Sequence, residues 1–244
     1  MKRLRRIAGW SALIIGALVA LALAAPGLKL IDSVPLRLFD ADGRSRVAAV
    51  FVSGDMGLGY GLGKQVAPAL AARGIPVLGV SSPVQFGTRR TRAEVDGVIA
   101  DAIRQALART GADRVVLMGQ SFGADMVAVA APDLPAELRR RVAAIALVVP
   151  GNTAFFRADP TDLTYLGTPD ARPAAGMRAL RWAPVICVWG VAERDSLCPE
   201  LAGSAARTIA LPGGHFLRND SRLLVTTLVR ELRAADPALL ASKD

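Results

Sequence analysis

The sequence predicts an α/β fold, a mostly parallel central sheet with helices on both faces, and three observations carry that expectation. Short runs rich in Val, Ile and Leu alternate with longer segments of helical period. The short runs are apolar along their whole length, as strands covered on both faces must be. A hydrophobic fraction of 52% with 21% charged residues suffices for a packed core and excludes global disorder. The 244 residues suit one such domain, expected over residues 30–236.

Before that domain, Met1–Arg6 is basic and Ile7–Ala25 is free of charge. Ala22-Leu23-Ala24 offers small residues where a signal peptidase reads, so residues 1–24 are expected to be a signal peptide cleaved after Ala24. The 19-residue apolar run is also long enough to cross a bilayer, which leaves an uncleaved anchor as the alternative. Either way the folded part is expected to work in the periplasm.

Within the domain, Val34–Phe39 and Val47–Ser53 read as strands, the second running into Gly54-Asp55-Met56-Gly57. Lys64–Arg73 reads as a helix and Ile75–Val80 as a strand. Arg92–Arg109 carries Val95, Val98, Ile99, Ala102, Ile103 and Ala106 on one helical stripe. Arg114–Met118 is a strand and Phe122–Ala131 a helix. Arg141–Val149, Pro184–Trp189 and Ala206–Leu211 complete the strands, and Ser221–Ala234 is the last helix. Residues 150–183 break the rhythm. They hold Pro150, Pro160, Pro169 and Pro173 with Phe155, Phe156 and Tyr165, and read as a lid or substrate-facing segment.

The net charge of +9 suggests nucleic acid until it is divided along the chain. Lys2, Arg3, Arg5 and Arg6 have no acidic counterpart before residue 25, and the rest holds 26 basic against 21 acidic residues. That is a mildly basic globular surface, not a nucleic-acid footprint. Cys187 and Cys198, eleven positions apart, are expected to form a disulfide in an oxidising compartment. Two Cys and one His are too few ligands for a metal site of the usual spacing.

Gly119-Gln120-Ser121-Phe122-Gly123 matches G-x-S-x-G, a pattern that is weak alone. Here it directly follows a predicted strand and precedes a predicted helix, the setting of a nucleophile elbow in an α/β-hydrolase fold. The hydroxyl of Ser121 needs a base, and His215 is the single histidine in the chain. It lies beyond the last strand in Leu211-Pro-Gly-Gly-His215-Phe216, where a Ser…acid…His order puts the base. The acid is expected in Gly190-Val-Ala-Glu-Arg-Asp195-Ser196, with Asp195 the choice and Glu193 the reserve. Oxyanion donors are expected at the N–H of Phe122 and at that of Asp55 or Met56.

These strings carry a specific resemblance. Ser53-Gly54-Asp55, Gly119-x-Ser121-Phe122-Gly123-Ala124-Asp125, Cys187…Gly190…Glu193-x-Asp195-Ser196-x-Cys198-Pro199 and Gly213-Gly214-His215-Phe216 together resemble the bacterial virulence protein VirJ/AcvB family. The resemblance runs from about Val47 to Phe216. It implies an exported α/β-hydrolase-like protein, with the family's Ser, Asp and His carried onto Ser121, Asp195 and His215. It also implies hydrolysis of lysyl-phosphatidylglycerol, an anionic aminoacylated phospholipid, at the outer face of the inner membrane, and a link to type IV secretion-system proteins.

The family's elbow usually reads G-Y-S-F-G-A-D, where Gln120 stands here. Its first loop usually carries a tryptophan, where this chain reads Asp55-Met-Gly-Leu-Gly-Tyr60, and its aromatic pair after the third strand is reduced to Phe86. These differences spare the triad and fall where substrate is held, so Gln120 joins Asp55 and Asp125 as candidate substrate contacts. The two acids are expected to meet the ammonium groups of a lysyl ester, although Asp125 in a helix first turn also suits the helix dipole. Such ester cleavage needs neither metal nor cofactor. The alternatives are a non-catalytic envelope or type IV secretion accessory protein, and a general esterase with another substrate.

Overall fold

The computed structural model describes residues 32–43, 45–161 and 163–240, with Leu13, Gly16 and Ala17. The expected signal peptide and its cleavage point therefore lie almost wholly outside the described residues. No helix among the described residues is long and apolar enough to cross a membrane.

Among the described residues seven strands form one sheet: β1 (Leu36–Phe39), β2 (Val47–Val52), β3 (Val77–Val80), β4 (Arg114–Gln120), β5 (Val142–Val148), β6 (Val185–Gly190) and β7 (Arg207–Leu211). Their spatial order is β1-β3-β2-β4-β5-β6-β7. β1 runs antiparallel to β3, and every other pairing is parallel. The α-helices of the described residues after Asp32 are α1 (Gly63–Ala71), α2 (Ser82–Gln85), α3 (Arg92–Thr110), α4 (Phe122–Ala130), α5 (Ala136–Arg139), α6 (Ala174–Ala179), α7 (Leu197–Glu200) and α8 (Ser221–Ala235).

The alternation of side chains along a strand builds two cores from one sheet. On β2, Ala48, Val50 and Val52 pack with α3 and α4, while Val47, Ala49 and Phe51 pack with α1 and α8. The whole of β2 and β5 is buried as a result. α3 starts on a capping box, in which the Thr91 hydroxyl accepts from the Glu94 amide and the Glu94 carboxylate accepts from the Thr91 amide. It stops at Gly111, which takes the left-handed conformation at φ 66°.

The irregular segment after β5 is folded against the body. Phe155, Phe156, Ala158 and Met177 are buried, and bridges join Ala154 to Ala171 and Gly151 to Ser196. Cys187 of β6 and Cys198 of α7 form a disulfide, both fully buried. The crosslink closes the loop that leaves β6. Cys198→Ser is expected to cost about 3 kcal/mol by the chain-entropy account. Any activity should fall further than the lost stability explains, because the closed loop leaves the C-terminal end of β6, beside the ends of β4 and β5. Thermal unfolding and activity measured well below the variant's Tm separate the two effects.

Candidate active site

The site rises from the C-terminal edge of the parallel strands, where loops from β2, β4, β5, β6 and β7 converge. At the end of β4 the chain turns through Ser121 at φ 53° and ψ −126°, and α4 begins at the next residue. A non-glycine residue holds positive φ only where its surroundings enforce it. Here the enforcement is steric: a Cβ on Gly119 would lie 2.3 Å from the Gly123 carbonyl oxygen, and one on Gly123 would lie 2.2 Å from that of Val52. The glycines let α4 close onto β2 and lift the Ser121 hydroxyl above the sheet. Phe86 supports the turn from below, with its ring edge-on to Phe122 at 5.4 Å.

Ser121 Oγ lies 2.8 Å from His215 Nε2, across 94 residues of sequence. His215 is carried by the loop after β7, and Gly190 admits that loop. A Cβ at Gly190 would lie 2.3 Å from the Gly214 carbonyl oxygen. On its other side, His215 Nδ1 lies 2.8 Å from Glu193 Oε1. The second carboxylate oxygen of Glu193 accepts from the Gly190 amide at 2.8 Å, while the Glu193 amide donates to the Gly190 carbonyl. A tight turn directly past β6 thus holds the glutamate by both backbone and side chain.

That geometry corrects the expectation for Asp195. The reserve residue, Glu193, holds the imidazole. Two residues further on, the chain has already left the histidine: the Asp195 carbonyl accepts from the Asn152 amide, and Ser196 bridges Gly151. Asp195 lines the cavity beside the serine instead. Glutamate's extra methylene spans the distance from the turn to the ring.

The expected oxyanion donors stand on two loops. The Phe122 N–H belongs to the first turn of α4, where amides have no intrahelical acceptor. Gly54 packs against Ser121, with its Cβ position 3.5 Å from the Ser121 Cβ. Gly54 and Gly57 close a turn by a 3.0 Å hydrogen bond, which places the amides of Asp55 and Met56 at its tip. Ser53 Oγ accepts from the Ser82 amide at 3.0 Å and fixes the base of the loop.

Two clefts flank Ser121. One, of about 460 Å³, is lined by Asp55, Asp125, Phe155, Tyr165 and Asp195 together with Ser121 and His215. The other, of about 580 Å³, is more apolar and is lined by Met56, Tyr60, Gln120, Pro160 and Phe216. The three candidate substrate contacts therefore divide, with Asp125 on the acidic side, Gln120 on the apolar side and Asp55 bordering both. Gln120 Oε1 is buried without a hydrogen-bond partner among the described residues.

Asp125, one turn along α4 from Ser121, is half-buried and accepts from the Gly151 amide at 2.7 Å. Burial pushes its carboxyl well above the usual range, and the nearby Asp55 and Glu193 carboxylates add to the shift. Asp55 accepts from the Tyr165 hydroxyl and from the Asp159 amide, the latter at 2.8 Å. Tyr165 is held protonated by burial and by the neighbouring Asp55 charge. The Asp159 carboxyl lies well below its usual range because it accepts from the hydroxyls and amides of Thr161 and Thr164. The segment after β5 is thus tied to the loop after β2 through Asp55. Tyr165 was legible only as an aromatic in a proline-rich stretch; nothing local in the sequence signals its partner 110 residues away.

Three solved structures of similar fold are described as a serine hydrolase or an esterase. An α/β serine hydrolase homologue from Coxiella burnetii matches at TM-score 0.60 and 16% identity, over 81% of this chain and 90% of that one. The esterase domain of a Rhodothermus marinus protein matches at TM-score 0.56 and 16% identity, over 81% and 91%. An α/β serine hydrolase without lid from Xanthomonas campestris matches at TM-score 0.55 and 16% identity, over 86% and 90%. At such identities the likeness establishes the α/β-hydrolase fold alone. Among curated proteins no sequence matches. The family model described as bacterial virulence protein (VirJ) matches residues 46–236, a span that contains every element of the site. The chain belongs to the bacterial virulence protein VirJ family.

Proposed function

We propose that the protein is a periplasmic serine ester hydrolase that cleaves the aminoacyl ester of lysyl-phosphatidylglycerol. The observation that carries the reading is the continuous relay from Ser121 through His215 to Glu193, set on a glycine-constrained elbow beside an acid-lined cleft. Ser121 Oγ attacks the ester carbonyl while His215 Nε2 takes its proton, and Glu193 stabilises the resulting imidazolium. The N–H of Phe122 and that of Asp55 or Met56 receive the oxyanion. Collapse expels the glycerol alkoxide, which takes the proton from His215. Water then attacks the lysyl–enzyme ester by the same route and frees lysine and Ser121.

The charge of the first cleft supports a cationic acyl group there, and the apolar character of the second supports the lipid alcohol. The disulfide supports an oxidising compartment. Wild-type protein should release lysine from vesicles containing lysyl-phosphatidylglycerol. Failure on that lipid with retained cleavage of short-chain esters would make the protein a general esterase. Failure on every ester would leave the non-catalytic accessory role.

Charge selectivity checks the substrate assignment. Asp125→Asn keeps an oxygen for the Gly151 amide and, at a pH above the raised pKa of the acid, loses the negative charge. It is expected to raise KM for the lysyl ester about ten- to a hundredfold, the loss of a charge-assisted hydrogen bond, and to leave a neutral ester nearly unchanged. The raised carboxyl adds a pH signature. The charged form appears only as pH rises through that raised pKa, so lysyl-ester KM should fall with rising pH in wild type and lose that trend in Asp125→Asn. Asp55→Asn is expected to affect both esters, because Asp55 also holds Tyr165 and the Asp159 amide.

A further inference from the structure

The exposed apolar side chains are not scattered. Among the described residues after Asp32, every large apolar side chain exposed by more than a third stands at one end of the sheet. Met56 follows β2, Val84 follows β3, Leu163 and Leu166 follow β5, Val191 follows β6 and Phe216 follows β7. Val34 leads into β1, whose first residue pairs with the last of β3, and Leu223 lies in the first turn of α8. All eight positions are at the edge from which the catalytic loops rise. Leu166 is 84% exposed, Leu163 69% and Phe216 66%. The opposite edge exposes Arg46, Asp113, Glu137, Arg140 and Arg141.

The same loops carry exposed Arg157, Arg172, Arg194 and Arg218, none of which forms an ion pair among the described residues. Exposed carboxylates there include Asp195 and Asp220, while Asp55, Asp125, Asp159 and Glu193 are turned inward to the contacts already described. Apolar tips interleaved with unpaired guanidinium groups are the pattern of a surface that lies in the headgroup layer of an anionic bilayer. Concentration of such residues around a catalytic mouth also distinguishes this edge from the single exposed apolar residues of an ordinary surface.

We propose that this edge docks on an anionic lipid bilayer, with Leu163, Leu166 and Phe216 entering the headgroup region and the arginines contacting lipid phosphates. The proposal rests on the lipid-ester reading above, because a mouth pressed to the bilayer takes its substrate without releasing the acyl chains into water. A protein partner seated there would cover the same opening.

The test reads the two edges separately in the full chain. Leu166→Cys and Glu137→Cys are each labelled with an environment-sensitive fluorophore and mixed with phosphatidylglycerol or phosphatidylcholine vesicles. The label at 166 should shift to the blue and be quenched by lipid-borne quenchers on phosphatidylglycerol vesicles, more weakly on phosphatidylcholine. The label at 137, at the opposite edge, should not change. A silent label at 166, or equal changes at both positions, overturns the proposal and leaves the edge for a protein partner. The double variant Leu163→Ser, Leu166→Ser should cleave a soluble ester at the wild-type rate and lose about tenfold or more on the vesicle-borne ester. Equal rates on vesicles would also overturn the docking role. Vesicle contact at residue 166 in a protein that cleaves no ester would refute the hydrolase reading and leave the docking surface standing.

Discussion

Ser121→Ala is expected to abolish ester turnover and labelling by a serine-directed phosphonate, with a rate loss of about a million-fold. The size follows from the geometry. Ser121 Oγ is the atom that His215 Nε2 addresses at 2.8 Å, and the bent backbone at φ 53° puts no other hydroxyl in its place. Alanine removes one oxygen from a position whose conformation is set by Gly119 and Gly123, so the fold should survive. Unchanged thermal unfolding together with lost labelling is the expected result. Wild-type turnover in Ser121→Ala would end the serine mechanism.

Glu193→Gln should lower kcat by about a thousand- to ten-thousandfold, while Asp195→Asn should stay within about tenfold of wild type. The glutamine fills the same turn and can still accept from the Gly190 amide. It cannot stabilise the imidazolium formed when Ser121 gives up its proton. It can also hold the ring in the wrong tautomer, with Nε2 carrying the hydrogen that should leave it free to act as base. Asp195 contacts the segment after β5 through its backbone, and Asn keeps that contact. Parallel kcat measurements on the two variants decide the acid. The reverse ranking would return the role to Asp195 and require the 190–195 turn to rearrange in solution.

The sequence determines the elements and the reacting pair because those signals are local. Strands buried on both faces need continuous apolar runs, and β2, β4, β5 and β6 lie where such runs stand, with ends shifted by a residue or two. The amphipathic stripe of α3, its capping box and its glycine stop are contained in the continuous segment from Thr91 to Gly111. Gly119, Ser121 and Gly123 mark the elbow because its steric demands fall on immediate neighbours, and a single histidine leaves one base to consider. Choosing the acid is a different problem. Glu193 and Asp195 are two residues apart in one loop and equally suited by charge, and only the turn that Gly190 closes aims one of them at His215. Tertiary structure alone also joins Asp55 to Tyr165, brings the Gly151 amide onto Asp125, and gathers the exposed leucines around the mouth. Those relations depend on where loops from five strands meet. The meeting is fixed by strand order and register across the sheet, and no pattern along the chain encodes a distance between loops a hundred residues apart.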